Sequence, residues 1–106
     1  MNSVTSKPDR QVWEISLPAE LDSTTQELVV TIAYALGQKL LKAQQKYGYT
    51  DGWARPGWED ECREHLREHM EKGDPLDVIA YSAFLWYHKA STVNLIKKEN
   101  SNGESN

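Results

Sequence analysis

Acidic side chains are concentrated in residues 59–77, and their spacing brings several carboxylates onto one side of a helix. Glu61, Glu64 and Glu68 recur at helical intervals, and Glu61 has no Lys or Arg one helical turn away in either direction. Carboxylates grouped in this way repel one another unless a cation lies among them. Mg²⁺ takes carboxylate oxygens and keeps waters for a phosphate, so the pattern indicates a magnesium site. The alternative is a solvated helix face with ion pairs and no metal.

A second acidic pair, Asp74 and Asp77, begins the next predicted helix. These carboxylates are candidates for the same magnesium site. Asp74 stands directly before Pro75, so it also fits the N-cap of that helix, with Asp77 in support. Both interpretations remain open from the sequence.

A basic row and a set of aromatic residues lie upstream of the acids. Lys42 and Lys46, one helical turn apart, are predicted to meet phosphate groups as point charges. The glycine-rich loop at residues 47–57 contains Trp53, and Trp58 follows it. These indole rings either stack on a planar base or fold the loop down over the core.

Three helices are predicted to position these groups, from about Asp22 to Lys46, from about Trp58 to Lys72 and from Asp74 to about Ser91. Residues 11–17 alternate in part and predict a short strand or an extended N-terminal arm. The third helix is apolar almost all round, which three helices of this size cannot easily enclose. We therefore expect an all-α bundle that is completed by association into a homodimer or tetramer.

Composition limits the class of protein. The 106 residues suit one small domain, predicted at residues 11–96, between disordered tails at 1–10 and 97–106. A net charge of −4 argues against a nucleic acid partner. No apolar run reaches the length of a membrane span and no signal peptide is apparent, so we expect a cytoplasmic protein.

The two acidic pairs on successive helices, behind a basic first helix, resemble the MazG-like all-α nucleoside triphosphate pyrophosphohydrolases. The segment from Lys46 to Trp86 also looks like small proteins of phages and prophages. The resemblance implies a Mg²⁺-dependent hydrolase that cleaves a nucleotide to a monophosphate and pyrophosphate. It implies metal ligands at Glu61, Glu64, Asp74 and Asp77, catalytic roles for Glu61, Glu64 and Glu68, phosphate contacts at Lys42 and Lys46, and base stacking at Trp53 or Trp58.

A different class of function remains open beside the hydrolase. The chain also fits a small, non-catalytic helical protein of phage origin that binds a host protein through its acidic helix face. His65 and His69 are interpreted as residues at a helix edge, with a zinc site that includes His88 as the alternative. The single cysteine, Cys62, excludes a disulfide within the chain and is predicted to be a small core residue.

Overall fold

A computed structural model describes residues 12–94 of the chain, so the predicted tails at 1–10 and 97–106 lie outside the described residues. Within 12–94 the structure contains three α-helices and no strand, which confirms the all-α class. The helices are α1 (Ser23–Tyr47), α2 (Glu59–Lys72) and α3 (Pro75–Tyr87), and a short 3₁₀ turn spans Gly52–Ala54. None of these helices is long and apolar enough to cross a membrane.

The segment before α1 does not form the short strand that its alternation suggested. Residues 12–18 have no regular secondary structure, and Val12, Trp13 and Ile15 are strongly exposed. Alternating side chains make a stable strand only where another strand supplies hydrogen-bond partners, and no second strand exists among residues 12–94. The segment is therefore an irregular arm.

Helix α1 begins and ends at well-formed caps. The Asp22 carboxylate accepts a hydrogen bond from the Thr24 amide at 2.9 Å, and Gly48 ends the helix in the left-handed conformation. The helix packs against α3, and its backbone does not come close to that of α2. None of its residues is fully buried, so α1 lies beside the core rather than within it.

Helices α2 and α3 form an antiparallel pair that contains the core. Cys62 and Leu66 of α2 pack with Leu85 of α3, and Trp58 and Phe84 cover this cluster. Trp58, Cys62, Leu66 and Met70 recur every four residues, a spacing that predicts one apolar stripe on α2. The prediction is confirmed at the first three positions, whereas Met70 is exposed.

Helix α3 ends at Tyr87 and does not continue to Ser91 as predicted. Lys89 adopts a positive φ of 57°, and the Ala90 amide donates to the Leu85 carbonyl, which closes the helix end. Arg63 of α2 then donates through Nε to the Ser91 carbonyl at 2.8 Å. The last described residues therefore turn back towards α2.

Candidate functional site

An open groove of about 800 Å³ lies between α1, the loop that follows it and the α2–α3 pair. Its walls are both aromatic and charged. The aromatic residues include Tyr49, Trp53, Trp58, Tyr81 and Phe84. The charged residues are Lys39, Asp51, Arg55 and Glu61.

The aromatic wall is held together by the loop, which folds onto α3. The Trp53 ring stacks on Phe84 at 5.4 Å between centroids and meets Tyr87 edge-on at 4.9 Å. Trp58 donates through Nε1 to the Trp53 carbonyl at 3.0 Å, and His88 donates through Nε2 to the same oxygen. The loop thus covers the core, as one of the two interpretations expected, while both indole side chains still line the groove.

A charged cluster of Lys39, His69, Asp74 and Asp77 lies where α1 meets the start of α3. Lys39 Nζ is 2.6 Å from Asp77 Oδ1, and His69 Nδ1 is 3.2 Å from Asp77 Oδ2. Asp77 is mostly shielded from solvent, with a side-chain exposure of 17%. Lys39 belongs both to this cluster and to the groove wall, so the cluster and the groove adjoin.

Three members of the charged cluster could bind a metal ion together. One ligand atom from each of His69, Asp74 and Asp77 lies within 4.8 Å of the others, and no other group of three such ligands among residues 12–94 is as close. His69 Nδ1 is buried, and its close polar neighbour is Asp77 Oδ2, the other side chain of this group on α3. The nitrogen therefore points into the cluster.

Asp74 performs the capping role that was left open for it. Its carboxylate accepts a hydrogen bond from the Asp77 amide at 3.4 Å, with Pro75 in the first helical turn. Its contacts with Asp77, first with the side chain and then with the amide N–H that donates to it, hold the pKa of Asp74 below its usual value, and the charges of Lys39 and His69 lower it further. Asp74 is thus a charged helix cap as well as a candidate metal ligand.

The three predicted catalytic glutamates occupy different surroundings. Glu61 lines the groove and lies 3.9 Å from His65 Nε2. Glu64 forms an ion pair with Arg67, and Glu68 lies 3.4 Å from His65 Nδ1. Neither glutamate lines the groove. Glu61 and Glu64 do not join Asp74 and Asp77 in a close group of ligands within residues 12–94, so their predicted metal role stays a prediction.

The predicted phosphate-binding lysines lie outside the groove wall. Lys42 is exposed, and Lys46 Nζ lies over the Tyr47 ring at 5.1 Å from its centroid. The basic side chains on the groove wall are instead Lys39 and Arg55. Lys39 could have been found from its helical position, because helical spacing places it on the same face of α1 as the apolar residues Ile32 and Ala43.

Two histidines of α2 contact the ring of Tyr81. His65 and His69 each stack on this ring, at 5.6 and 5.2 Å between centroids. Burial, and then the charge of Asp77, raises the pKa of Tyr81, so its hydroxyl stays protonated at neutral pH. His88 does not join His65 and His69 in a close group of ligands within the described part of the chain, which leaves the zinc alternative without geometric support.

Comparisons with protein-family models, with curated proteins and with solved structures find no match to this chain.

Proposed function

We propose that the groove binds a nucleoside triphosphate and that the protein hydrolyses it, with Mg²⁺, to a monophosphate and pyrophosphate. The observation that carries the proposal is the position of Lys39. This residue lines the same groove as Trp53 and Trp58 and also contacts Asp77. One ligand can therefore touch the aromatic wall and the charged cluster at the same time.

The shape of the groove supports a ligand of nucleotide size. Its volume of about 800 Å³ falls in the range of small-molecule sites. The indole rings of Trp53 and Trp58 offer apolar surface for a planar base, and Lys39 and Arg55 offer positive charge for phosphates. Tyr49 and Tyr47, which stack on each other at 5.5 Å, extend the aromatic surface at the α1 end.

We assign the carboxylates of Asp74 and Asp77 as the donors for Mg²⁺. Carboxylate oxygens suit Mg²⁺, whereas the imidazole of His69 is better suited to Mn²⁺ or Zn²⁺. When bound, Mg²⁺ neutralises phosphate charge and lowers the pKa of a bound water. In this proposal Lys39 orients the triphosphate group, and Arg55 binds the end of that group farther from Lys39.

The proposed reaction is an attack of water on the α-phosphorus. The bond from that phosphorus to the bridging oxygen breaks, pyrophosphate leaves and the proton of the water passes to a carboxylate. Glu61 is the glutamate on the groove wall, so we assign it this proton in preference to Glu64 or Glu68. We assign the activity to the cytoplasm, where a lone thiol such as Cys62 stays reduced.

The second candidate is a non-catalytic protein that binds a host protein. The contacts of Asp77 with Lys39 and His69 favour it, because they leave this carboxylate compensated without a metal. The exposed carboxylates of α2, among them Glu64, Glu68 and Glu71, would form the binding surface. Such a surface is sensitive to monovalent salt when its partner is present and indifferent to Mg²⁺, whereas a metal site makes stability depend on Mg²⁺.

The test is pyrophosphate release from a panel of ribo- and deoxynucleoside triphosphates, with Mg²⁺ or with EDTA. We expect metal-dependent turnover that falls by about a hundredfold in Asp77→Asn and in Glu61→Gln. Glu71→Gln, an exposed change of the same chemistry on α2, should keep the activity of the unmodified chain. No turnover from a folded sample, or equal turnover with EDTA, would overturn the hydrolase and favour the host-protein candidate.

A further inference from the structure

The turn between α2 and α3 brings one histidine and two aspartates together. The amides of Gly73 and Asp74 both donate to the carbonyl of His69, at 3.1 and 3.2 Å. Asp77 then follows in the first turn of α3. We call His69, Asp74 and Asp77 the turn triad. Since all three belong to residues 69–77, a single backbone turn sets their positions.

The separations within the turn triad suit ligands around one metal ion. One ligand atom of each side chain lies within 4.8 Å of the other two, and His69 Nδ1 is 3.2 Å from Asp77 Oδ2. Two ligands of a tetrahedral ion, each about 2.0–2.1 Å from it, lie roughly 3.3–3.4 Å apart. One ion can therefore bind His69 and Asp77 together after only small side-chain movements.

Neighbouring side chains orient the ligand atoms of the turn triad. The His69 ring stacks on Tyr81 at 5.2 Å, and its Nδ1 is buried and faces Asp77. Lys39 contacts Oδ1 of Asp77, so Oδ2 is the oxygen directed at His69. The side chains of His69 and Asp77 are only 20% and 17% exposed, unlike the solvated acids of α2. Partners that fix a ligating imidazole and carboxylate in this way are a regular part of metal sites.

The histidine decides the class of metal. Mg²⁺ favours oxygen ligands and dehydrates reluctantly, whereas an imidazole nitrogen suits divalent transition metals such as Zn²⁺. We propose that the turn triad binds a divalent transition metal through His69 Nδ1 and the carboxylates of Asp74 and Asp77. The sequence suggested zinc with three histidines, but this site takes only His69 from that set.

This site shares its carboxylates with the proposed Mg²⁺ site but does not rest on nucleotide hydrolysis. Binding of the metal alone requires no nucleotide, so it is measured on the full chain without substrate. A transition metal that uses His69 as a third ligand should bind more tightly than Mg²⁺ and displace it from Asp74 and Asp77.

The test is calorimetric titration of the untagged full chain with Zn²⁺ and, separately, with Mg²⁺. We expect one Zn²⁺ per chain, bound at least a hundredfold more tightly than Mg²⁺. His69→Gln and His69→Phe should each weaken Zn²⁺ binding about tenfold or more and leave Mg²⁺ binding within about twofold. His69→Phe keeps an aromatic ring on Tyr81, and circular dichroism establishes that each variant is folded.

His65→Gln is the matched control, because His65 also stacks on Tyr81 from α2 but is not in the turn triad. Its Zn²⁺ affinity should equal that of the unmodified chain. Absence of saturable Zn²⁺ binding, equal affinity for Zn²⁺ and Mg²⁺, or loss of binding in His65→Gln rather than in the His69 variants would overturn the proposal.

The outcomes separate this site from the hydrolase. Zn²⁺ binding that depends on His69, without turnover of any nucleotide, would retain the metal site and remove the hydrolase. Turnover with Mg²⁺ in a chain that binds no Zn²⁺ through His69 would do the reverse.

Discussion

Lys39 connects the two parts of the candidate site. Its ammonium group lies 2.6 Å from Asp77 Oδ1, and its side chain forms part of the groove wall. The sequence predicted a basic row on α1 but favoured Lys42 and Lys46 for phosphate. Spacing shows that three lysines recur along the helix, but only the packing of α1 on α3 decides which of them faces the groove.

The capping carboxylate of Asp74 gives the fold a dependence on pH. Its pKa is lowered in the folded state, so its charge stabilises the fold above the usual carboxyl pKa of 3.8. This contribution disappears as the pH falls through the lowered value. We expect Asp74→Ala to unfold at lower urea concentration at neutral pH, with a deficit that narrows in acid.

Urea unfolding across a series of pH values measures this effect. Glu71→Ala, which removes an exposed carboxylate from α2, should show little deficit at any pH. A deficit in Asp74→Ala that stays constant into acid would show that the carboxylate charge is not its source.

The thiol of Cys62 is protected by the core. Burial raises the pKa of Cys62 to about 11, and Arg63 opposes this shift only in part. The thiol donates to the Tyr81 carbonyl at 3.6 Å. Since the thiolate is the reactive form, we expect alkylation to be slow in the native protein at neutral pH and fast in urea.

Mass spectrometry after timed treatment with iodoacetamide measures this reactivity. Rapid labelling without denaturant would show that Cys62 is accessible and ionised, contrary to its position beneath Trp58 and Leu85.

At the scale of elements, the sequence predicts the helices better than their contacts. The caps at Asp22 and Asp74 and the glycines at 48 and 73 are local signals, so the predicted bounds of α1 and α2 agree with the structure within about one residue. The predicted end of α3 was wrong. The helix ends early because Lys89 adopts a left-handed conformation, and no local sequence signal predicts that conformation for a lysine.

The turn between α2 and α3 depends on Gly73, which has a φ of 77°. Its amide donates to the carbonyls of His69 and Met70, and the chain then continues to Asp74. We expect Gly73→Ala to destabilise the fold by about 1–2 kcal/mol, because an L side chain is strained in this conformation. Urea unfolding measures the difference.

Gly52→Ala is the matched control for this turn. Gly52 does not have a positive φ, and an added Cβ there meets nothing within 4 Å. Its effect should stay within about 0.5 kcal/mol. Equal losses in the two variants would show that the left-handed turn is not what makes Gly73 necessary.

At the scale of the molecule, the described part of the chain has a very small core. Only Cys62, Leu66, Ala80 and Leu85 are buried among residues 12–94. Loss of one of these side chains should therefore be costly. We expect Leu85→Ala to lower the free energy of unfolding by about 2–5 kcal/mol, measured by urea unfolding.

Met70→Ala provides the comparison, because Met70 belongs to the same predicted stripe but is 61% exposed. Its cost should be about 0.5 kcal/mol. A loss as large as that of Leu85→Ala would mean that the outer side of α2 is covered in solution.

The groove itself was not predictable from the sequence. The aromatic residues of the loop and the acids of α2 were identified as candidates, but the groove exists because α1 touches α3 and leaves α2 uncovered. That placement is a property of tertiary packing. It brings Trp53, Trp58 and Glu61 together, and it leaves Glu64, Glu68, Lys42 and Lys46 outside the groove wall.

The most direct test of nucleotide recognition is calorimetric titration with a non-hydrolysable nucleoside triphosphate in the presence of Mg²⁺. Saturable binding that weakens about tenfold or more in Lys39→Gln and in Arg55→Gln, but not in Lys72→Gln at the exposed end of α2, is the predicted result. Absence of binding to the folded chain, or equal affinity in all three variants, would contradict a nucleotide site in the groove.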